Sequence, residues 1–268
     1  MERILGALFS PKDIRDFKMS YTKNKTIFAK EFELKMPKVK NQKNVGSCVA
    51  HSIATVIEYF NIKQNNNNES MSVGFIYGDR RNSRHKGSGM YVREALANAC
   101  KYGDVIEKFF PYNEEVPGII KRFNNSFKDL DKLASGFAIT SYYRLSSVEE
   151  IKISLLKNGP VVFAMDWYDD IKVKNGVITT KQKRSTGGHA MVIYGWNEKG
   201  WKIQNSWGTG FGNMGRAILP YDVKIREAWG IVDKTRNTNI NIKKPYSSKA
   251  GKLMAVPINF ILKTISKR

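Results

Sequence analysis

The chain has 268 residues, of which 41% are hydrophobic and 12% aromatic, so it is long enough to bury a substantial core. It contains 45 Lys and Arg against 24 Asp and Glu, a net charge of +21, and only two cysteines. Two cysteines exclude a disulfide-stapled scaffold and a structural zinc module, which needs four closely spaced Cys or His ligands. We expect no metal site and no cofactor.

The N-terminal sequence carries an apolar run over residues 4–9, which is too short for a signal peptide. No segment is apolar for long enough to cross a bilayer. These features predict synthesis in the cytoplasm, with association to a virion if the chain is viral. They leave the oligomeric state open.

The positive charge is distributed along the chain in twos and threes, without a basic helix that carries interleaved aromatic residues. Two interpretations remain. The distribution favours a solvated basic surface, and the alternative is a surface for nucleic acid or another anionic partner.

Helical periodicity dominates the first half of the chain. Residues 1–36 show no strong periodicity and are predicted to form an N-terminal arm. Over residues 49–60, apolar side chains recur at helical spacing, which predicts a buried helix that starts at or next to Cys48. A second helix is predicted over residues 92–102, where Gly103 ends it.

The pattern changes near residue 135 to short β-rich runs separated by turns that contain Gly or Asn. The predicted strands are 136–140, 161–165, 190–194, 201–204 and 216–219. The predicted organisation is an arm (1–36), a helical lobe (37–135), a β-rich lobe (136–233) and a basic C-terminal tail (234–268).

Three residue types point to covalent chemistry. Cys48 follows Gly46 and Ser47 and opens the predicted buried helix, where backbone N–H groups and the helix dipole stabilise a thiolate. His189 precedes an apolar strand and is the natural base for that sulfur. Asn205 follows the next predicted strand, and its amide can accept from one ring N–H, which leaves the other ring nitrogen for sulfur. A lone cysteine is usually a small buried residue, but this combination favours a nucleophile.

Gln42 lies six residues before Cys48. By itself it is typical of a surface residue. Beside a nucleophile, its side-chain N–H and the Cys48 backbone N–H can together bind the oxyanion of a tetrahedral intermediate.

Three blocks, QKNVGSCVAHS (42–52), GGHAMVIYGW (187–196) and NSWGTGFGNMG (205–215), together resemble the papain-like cysteine peptidases, a family that includes the cathepsins. The resemblance covers about residues 37–233. It implies an α+β, two-lobe fold, in which a helical lobe and an antiparallel β-barrel lobe enclose the active-site cleft.

The resemblance also implies residue roles. Cys48 becomes the nucleophile, His189 the general base and acid, Asn205 the orienting amide and Gln42 the oxyanion donor. Trp207 would cover the bond between His189 and Asn205. The implied activity is that of a papain-like cysteine endopeptidase, which hydrolyses peptide bonds of polypeptide substrates through a thiolate–imidazolium pair and an acyl-enzyme.

The sequence departs from the family at three positions. Val49 stands where the family usually has Trp, and Val45 stands where secreted members often have a disulfide-forming Cys. The missing bridge suits a reducing compartment. His51 stands where an aromatic residue is common and is predicted to pack in the core or beside the site, whereas His85 is predicted on the surface and Cys100 as a helix packing residue.

Residues 87–91 are similar to the glycine stretch that lines the non-primed side of the family's cleft, where a substrate backbone can add as an extra strand. A tight loop is the alternative. The predicted substrate-binding residues are Gly89, Met90, Ala164, Ala190 and Trp207, with Ala228 as a further pocket candidate. An apolar pocket predicts a bulky hydrophobic residue two positions before the scissile bond.

Two other functions stay open at this point. A Cys–His amidase or acyltransferase uses the same atoms but usually orients its histidine with a carboxylate. A catalytically silent structural or nucleic-acid-associated protein on the same fold is suggested by the charge, Val49 and His51. The arm is too short for a long pro-segment but long enough to reach the cleft, and the tail is predicted to wrap around the body or to dock on a partner.

Overall fold

A computed structural model of the chain describes residues 4–14, 16, 27–113 and 115–233. The C-terminal tail predicted at residues 234–268 lies outside these described residues. Within them, no helix is long and apolar enough to cross a membrane.

Helices form most of the chain between residues 48 and 134. The helices are α1 (Cys48–Asn65), α2 (Val73–Gly78), α3 (Val92–Lys101), α4 (Val116–Ala134) and α5 (Val148–Lys157), with a 3-10 turn at Ser135–Phe137. The two helices predicted from periodicity correspond to α1 and α3. The first extends one turn beyond its predicted end.

Strands form two sheets. The strands are β1 (Ala7–Leu8), β2 (Phe32–Glu33), β3 (Met90–Tyr91), β4 (Ser141–Leu145), β5 (Val161–Tyr168), β6 (Lys172–Lys174), β7 (Val177–Thr179), β8 (Ser185–Asn197), β9 (Gly200–Gln204), β10 (Arg216–Leu219) and β11 (Ile225–Val232). The large sheet has the order β4-β11-β5-β8-β9-β10-β7-β6, and β2 adds to β8. Its pairings are antiparallel except for the one between β10 and β7.

Helix α1 is the central element of the core. Its first fourteen residues are all buried, so it is surrounded by protein instead of presenting one apolar stripe. Side chains such as Val49, Ile53 and Val56 are fully buried, and each contributes about 1.5–3 kcal/mol by leaving water. This packing fixes Cys48, the first residue of α1, in the centre of the molecule.

The large sheet carries a hydrophobic cluster on each face. Ala164, Ala190 and Val192 point toward α1 and the other helices, whereas Phe163 and Met191 belong to a second cluster on the opposite face. Neighbouring residues along β5 and β8 thus face opposite ways, as strand geometry requires. The cleft face of the sheet is the one that packs on α1.

One predicted strand is wrong. Residues 136–140 form no strand, because Ser135–Phe137 is a 3-10 turn and β4 starts only at Ser141. The apolar residues of this segment are used for packing instead. Ile139 is fully buried, and its N–H donates to the Ala99 carbonyl at the end of α3.

Three helices, α2, α4 and α5, were not predicted. Pro117 in the first turn of α4 and the Ser147–Glu150 pair at the start of α5 are both helix-start signals in the sequence. The Ser147 side chain accepts from the Glu150 N–H at 3.1 Å, while the Glu150 carboxylate accepts from the Ser146 N–H. The β-rich lobe therefore contains a capped helix.

Candidate active site

Cys48 is fully buried and its thiol is free. Helix α1 has no acidic residue in its first turn, so no negative side chain there opposes a thiolate. Burial raises the pKa of the Cys48 thiol, while backbone N–H groups of Ala190, Gly6 and Val49 act in the opposite direction by donating to the sulfur. The donors come from both lobes and from the N-terminal segment.

His189 lies in β8 and Asn205 directly follows β9, its antiparallel neighbour. The imidazole Nε2 is 2.8 Å from the Asn205 Oδ1. Because an amide oxygen only accepts, Nε2 carries the proton and Nδ1 is left as the basic nitrogen. Within the described residues, the buried Nδ1 has no hydrogen-bond partner. Burial lowers the pKa of His189 to about 4, although the bond to Asn205 raises it.

Aromatic rings surround this imidazole. The Trp207 ring lies over His189 with a centroid distance of 4.7 Å and a tilt of 32°. Trp167 approaches the same imidazole edge-on at 5.2 Å and also contacts Trp207 and Phe211. Rings that exclude water strengthen the His189–Asn205 bond. Trp167 was not among the predicted site residues, although its place near the end of β5, opposite Gly187, puts it beside the histidine strand.

Gln42 is buried and fixed at all of its polar groups. Its Oε1 accepts from the Ser206 Oγ at 2.7 Å, and its backbone N–H donates to the Ser206 carbonyl at 2.8 Å. The side-chain Nε2 donates to the Val45 carbonyl at 2.9 Å and to the Ile4 carbonyl at 3.0 Å. The amide predicted to bind an oxyanion therefore already binds a peptide carbonyl of the same chain.

Residues 4–10, which we call the cleft segment, run between the two lobes over Cys48. Strand β1 of this segment pairs parallel with β3, and the Gly6 carbonyl accepts from the Met90 N–H at 2.8 Å. A Cβ at Gly6 would lie 1.8 Å from the Gly46 carbonyl oxygen, so only glycine fits there. On the sheet side, a Cβ at Gly188 would lie 2.1 Å from the Ala7 oxygen.

The far end of the cleft segment is anchored to the sheet and to α3. The Ser10 N–H donates to the Glu227 Oε1 at 3.0 Å, and the Ser10 Oγ accepts from the Arg93 N–H at 3.1 Å. Glu227 is buried, and its Oε2 accepts from the Trp229 Nε1 at 2.8 Å. Burial raises the pKa of Glu227, and the bonds from Ser10 and Trp229 lower it. No motif around residue 227 in the sequence indicates a role for this carboxyl group.

The two residues predicted from the glycine stretch have different surroundings. The Gly89 N–H donates to the Tyr77 hydroxyl at 3.2 Å, and the Gly89 carbonyl accepts from the Arg80 Nη1 at 2.8 Å. Both backbone groups of Gly89 are thus used inside the helical lobe. Met90 is the residue whose N–H faces the cleft segment.

The sheet places Ala164 and Ala190 side by side, and Glu227 pairs with Ala164 from the other side. Ala228 lies on the opposite face of the sheet, in the second hydrophobic cluster. Its selection as a pocket residue was therefore wrong, because adjacent strand residues point to opposite faces. Glu227, the residue before Ala228, is the β11 residue that pairs with Ala164.

The remaining candidates lie outside the cleft. Cys100 is a partly buried residue of α3 whose Sγ donates to the Thr140 carbonyl at 3.4 Å. His85 contacts the Ser88 carbonyl in a loop. His51 is buried in α1. Within the described part of the chain, no group of three or more His, Cys, Asp or Glu side chains is placed to hold a metal ion.

A buried cysteine at a helix start, an imidazole oriented by an amide and a separate amide donor form the arrangement that thiol hydrolases use for acyl transfer. The model of the protein family described as "Papain family cysteine protease" matches residues 25–235. The chain belongs to this family. The match confirms the predicted papain-like α+β fold and the predicted class of cysteine-type endopeptidase, a hydrolase.

Individual relatives agree with this assignment. An uncharacterized peptidase C1-like protein of Acanthamoeba polyphaga mimivirus is 27% identical over 260 residues, which cover 87% of this chain and 84% of that protein. The structure of xylellain, a cysteine protease from Xylella fastidiosa, superposes on this chain with a TM-score of 0.73 at 26% identity. The superposition covers 86% of this chain and 96% of the xylellain chain.

A viral cathepsin of Adoxophyes honmai nucleopolyhedrovirus is 28% identical over 188 residues, 68% of this chain. The chain spans about half the length of that relative, 52%.

Proposed function

We propose that Cys48 is the nucleophile of a peptide-bond hydrolase, that His189 is its general base and acid, that Asn205 orients the imidazole and that Gln42 donates to the oxyanion. The observation that carries this proposal is the 2.8 Å bond between His189 Nε2 and Asn205 Oδ1. This bond assigns the ring proton to Nε2 and leaves Nδ1 as the base.

The chemistry follows from these positions. The Cys48 sulfur, deprotonated by His189, attacks the carbonyl carbon of a peptide bond, and the carbonyl oxygen becomes an oxyanion that accepts from Gln42 Nε2 and the Cys48 N–H. The imidazolium then gives its proton to the leaving amine, which releases one product and leaves a thioester. Water loses a proton to His189, attacks the thioester and releases the acid and the thiol.

The test combines labelling and turnover. A thiol-directed epoxide inhibitor is expected to label wild-type protein but not Cys48→Ala, and a fluorogenic dipeptide is expected to be cleaved only by the former. Cys100→Ser is the matched control, because it removes the other thiol, and it should keep both activities. Turnover by the Cys48→Ala variant would contradict the proposal. So would a lack of turnover in a chain that keeps Cys48 and has an opened cleft.

We also propose that the cleft segment closes the site in this protein. Its Ile4 carbonyl takes the Gln42 donor, and its Gly6 N–H takes a position at the sulfur. Substrate needs both places, so the segment must leave before turnover. Deleting residues 1–30 is expected to raise activity, and an unchanged rate would contradict a blocking role.

The substrate is proposed to contact Met90, Ala164 and Ala190 with one side chain, and Gly89 and Trp207 elsewhere in the cleft. Small apolar residues leave room for a bulky hydrophobic side chain two positions before the scissile bond. A peptide library measures this preference. A profile that favours Lys or Arg there would contradict the proposal and would identify the neighbouring Glu227 as the determinant.

The finer features of the sequence analysis remain proposals. They are the four-part organisation of the chain, synthesis in the cytoplasm or association with a virion, and an anionic partner for the net charge of +21. Binding to heparin and to duplex DNA across a salt series tests the last one, since each phosphate contact adds to the salt dependence. Retention that does not change with salt would contradict it.

A further inference from the structure

A chain of buried polar side chains lies behind the turn that carries Gln42. It consists of His51 in α1, Ser47 immediately before that helix, and Tyr112 in the segment before α4. His51 and Ser47 are buried, Tyr112 is half-buried, and the rings of His51 and Tyr112 meet edge to face at 5.1 Å. None of the three has a role in the chemistry proposed above.

The hydrogen bonds among these three side chains run from His51 through Ser47 and Tyr112 toward Gln42. His51 Nδ1 is 3.0 Å from the Ser47 carbonyl, which only accepts, so Nδ1 carries the ring proton. Tyr112 donates its single hydroxyl hydrogen to the Gln42 carbonyl at 3.1 Å. Ser47 Oγ lies 2.8 Å from the Tyr112 hydroxyl and 3.4 Å from the Val45 carbonyl, so its single hydrogen makes the shorter bond to Tyr112. The same oxygen, 3.2 Å from His51 Nδ1, can accept from His51. The series ends on Gln42.

The turn that receives this bond is tight and contains an unfavourable conformation. The Val45 N–H donates back to the Gln42 carbonyl at 3.2 Å, and Lys43 has a positive φ of 51°. A non-glycine residue in that region costs about 1–3 kcal/mol and persists only where surrounding contacts hold it. The Tyr112 hydroxyl supplies one such contact, at the carbonyl that closes the turn.

The turn matters because it joins the two donors of the oxyanion site. It begins at Gln42, whose Nε2 is one donor, and it leads into Cys48, whose backbone N–H is the other. A displacement of about 1 Å at such a site can cost roughly 100-fold in rate. Burial lowers the pKa of His51 to about 3, and the charges of Lys40 and His189 lower it further, while hydrogen bonds to the backbone of Ser47 and of Asn41 raise it. The ring therefore stays neutral near neutral pH.

We infer that Tyr112, Ser47 and His51 are positioning residues that hold the Gln42 carboxamide where the oxyanion forms. This inference rests on the proposed function. Tyr112 thus holds the backbone of Gln42 from the helical lobe. Ser206, which follows β9, holds the Gln42 side chain from the sheet.

The test separates oxyanion binding from thiolate formation. Peptide hydrolysis passes through an oxyanion in both acylation and deacylation, whereas alkylation of the thiolate by iodoacetamide occurs at a saturated carbon and forms none. All variants are made in the full-length chain carrying Gly6→Val, because a side chain there cannot fit against Gly46 and the cleft segment is displaced.

In that background, Tyr112→Phe is expected to lower kcat about 10-fold, to change KM less than 2-fold and to leave the alkylation rate at Cys48 within 2-fold. His51→Phe is expected to act in the same direction, and His51→Asn, whose amide can replace the Nδ1 donor, to recover most of kcat. Tyr221→Phe is the matched control. It loses a 2.9 Å hydroxyl bond to the Asn197 carbonyl, away from the site, and should change neither rate.

An unchanged kcat in Tyr112→Phe would overturn the inference. A parallel loss of hydrolysis and alkylation would also overturn it, because that result indicates general damage to the site. A Gly6→Val parent without Cys48-dependent turnover would instead refute the proposed function, and the inference with it.

Discussion

The bond between the Ser10 N–H and Glu227 gives the sharpest test of the closed cleft. Ser10→Pro removes this backbone donor together with the Ser10 hydroxyl, which accepts from the Arg93 N–H, and keeps the rest of the cleft segment. Glu227 then keeps only the Trp229 bond and has an unpaired buried oxygen, Oε1, whenever the segment is seated. The closed state alone is destabilised by this change.

The magnitude follows from the type of bond. A hydrogen bond to a charged acceptor contributes about 1.5–3 kcal/mol net. Proline also restricts the open segment, which offsets about 0.4–1 kcal/mol of the effect. The remainder from the N–H bond is about 1–2 kcal/mol, and the lost hydroxyl contact with the Arg93 N–H adds to it. The equilibrium between closed and open states therefore shifts by roughly 5- to 30-fold or more. If the closed state dominates, turnover rises by the same factor.

The assay follows two rates in the full-length chain at pH 7.5. Cleavage of a fluorogenic dipeptide and alkylation of Cys48, read by peptide mass spectrometry, both require an open cleft and are expected to rise by the same factor. Lys12→Pro, at an exposed position two residues further on, is the matched control and should change neither rate. The reasoning is refuted if Ser10→Pro leaves both rates at the wild-type value, or if turnover rises without alkylation.

Three further predictions concern the site. In a chain with an opened cleft, Asn205→Ala should lower kcat about 30-fold, because the lost bond to the His189 ring is worth about 2 kcal/mol; an unchanged kcat would contradict the orienting role. His51 and His189 have folded-state pKa values of about 3 and about 4 against 6.5, so the unfolded chain binds more protons below pH 6.5 and stability should fall as the pH decreases from 6.5 toward 4. Thermal unfolding checks this, and His51→Asn, which does not titrate, should show a smaller decrease than wild type. Finally, Cys100→Ser should leave epoxide labelling unchanged, and loss of label would contradict assignment of the reactive thiol to Cys48.

Local patterns were sufficient to predict the elements that carry the chemistry. The helix at Cys48 and the strand at His189 each show an apolar periodicity that is produced by burial, and the sequence from Asn205 onward follows a strand whose partner is adjacent in the chain. Burial produces a periodic apolar pattern within a single segment, and a short connection joins strands that are neighbours in the sequence, so both can be predicted from a local stretch of residues. The resemblance to the papain family then supplied roles that periodicity does not contain.

Contacts between distant segments could not be predicted in the same way. Nothing near Glu227 in the sequence indicates that Ser10 binds it, and nothing near Tyr112 indicates the Gln42 carbonyl. These pairs are separated by 217 and 70 residues. The Ala228 error has the same origin. Ala228 was grouped with Ala164 and Ala190 as a small apolar pocket residue, but only the pairing of β11 with β5 determines which face it occupies.

The contacts between residues 40–42 and 206–208 determine which parts of the site move together. The Gln42 N–H donates to the Ser206 carbonyl at 2.8 Å, the Gly208 N–H donates to the Lys40 carbonyl at 3.0 Å, and Ser206 Oγ holds the Gln42 side chain. The oxyanion donor is therefore bonded to the residue that follows Asn205, although the turn that carries Gln42 leads into the helix of Cys48. A widening of the cleft must break these bonds before it can separate Gln42 from the imidazole–amide pair. Departure of the cleft segment breaks none of them, so the site can open to substrate with its donors in place.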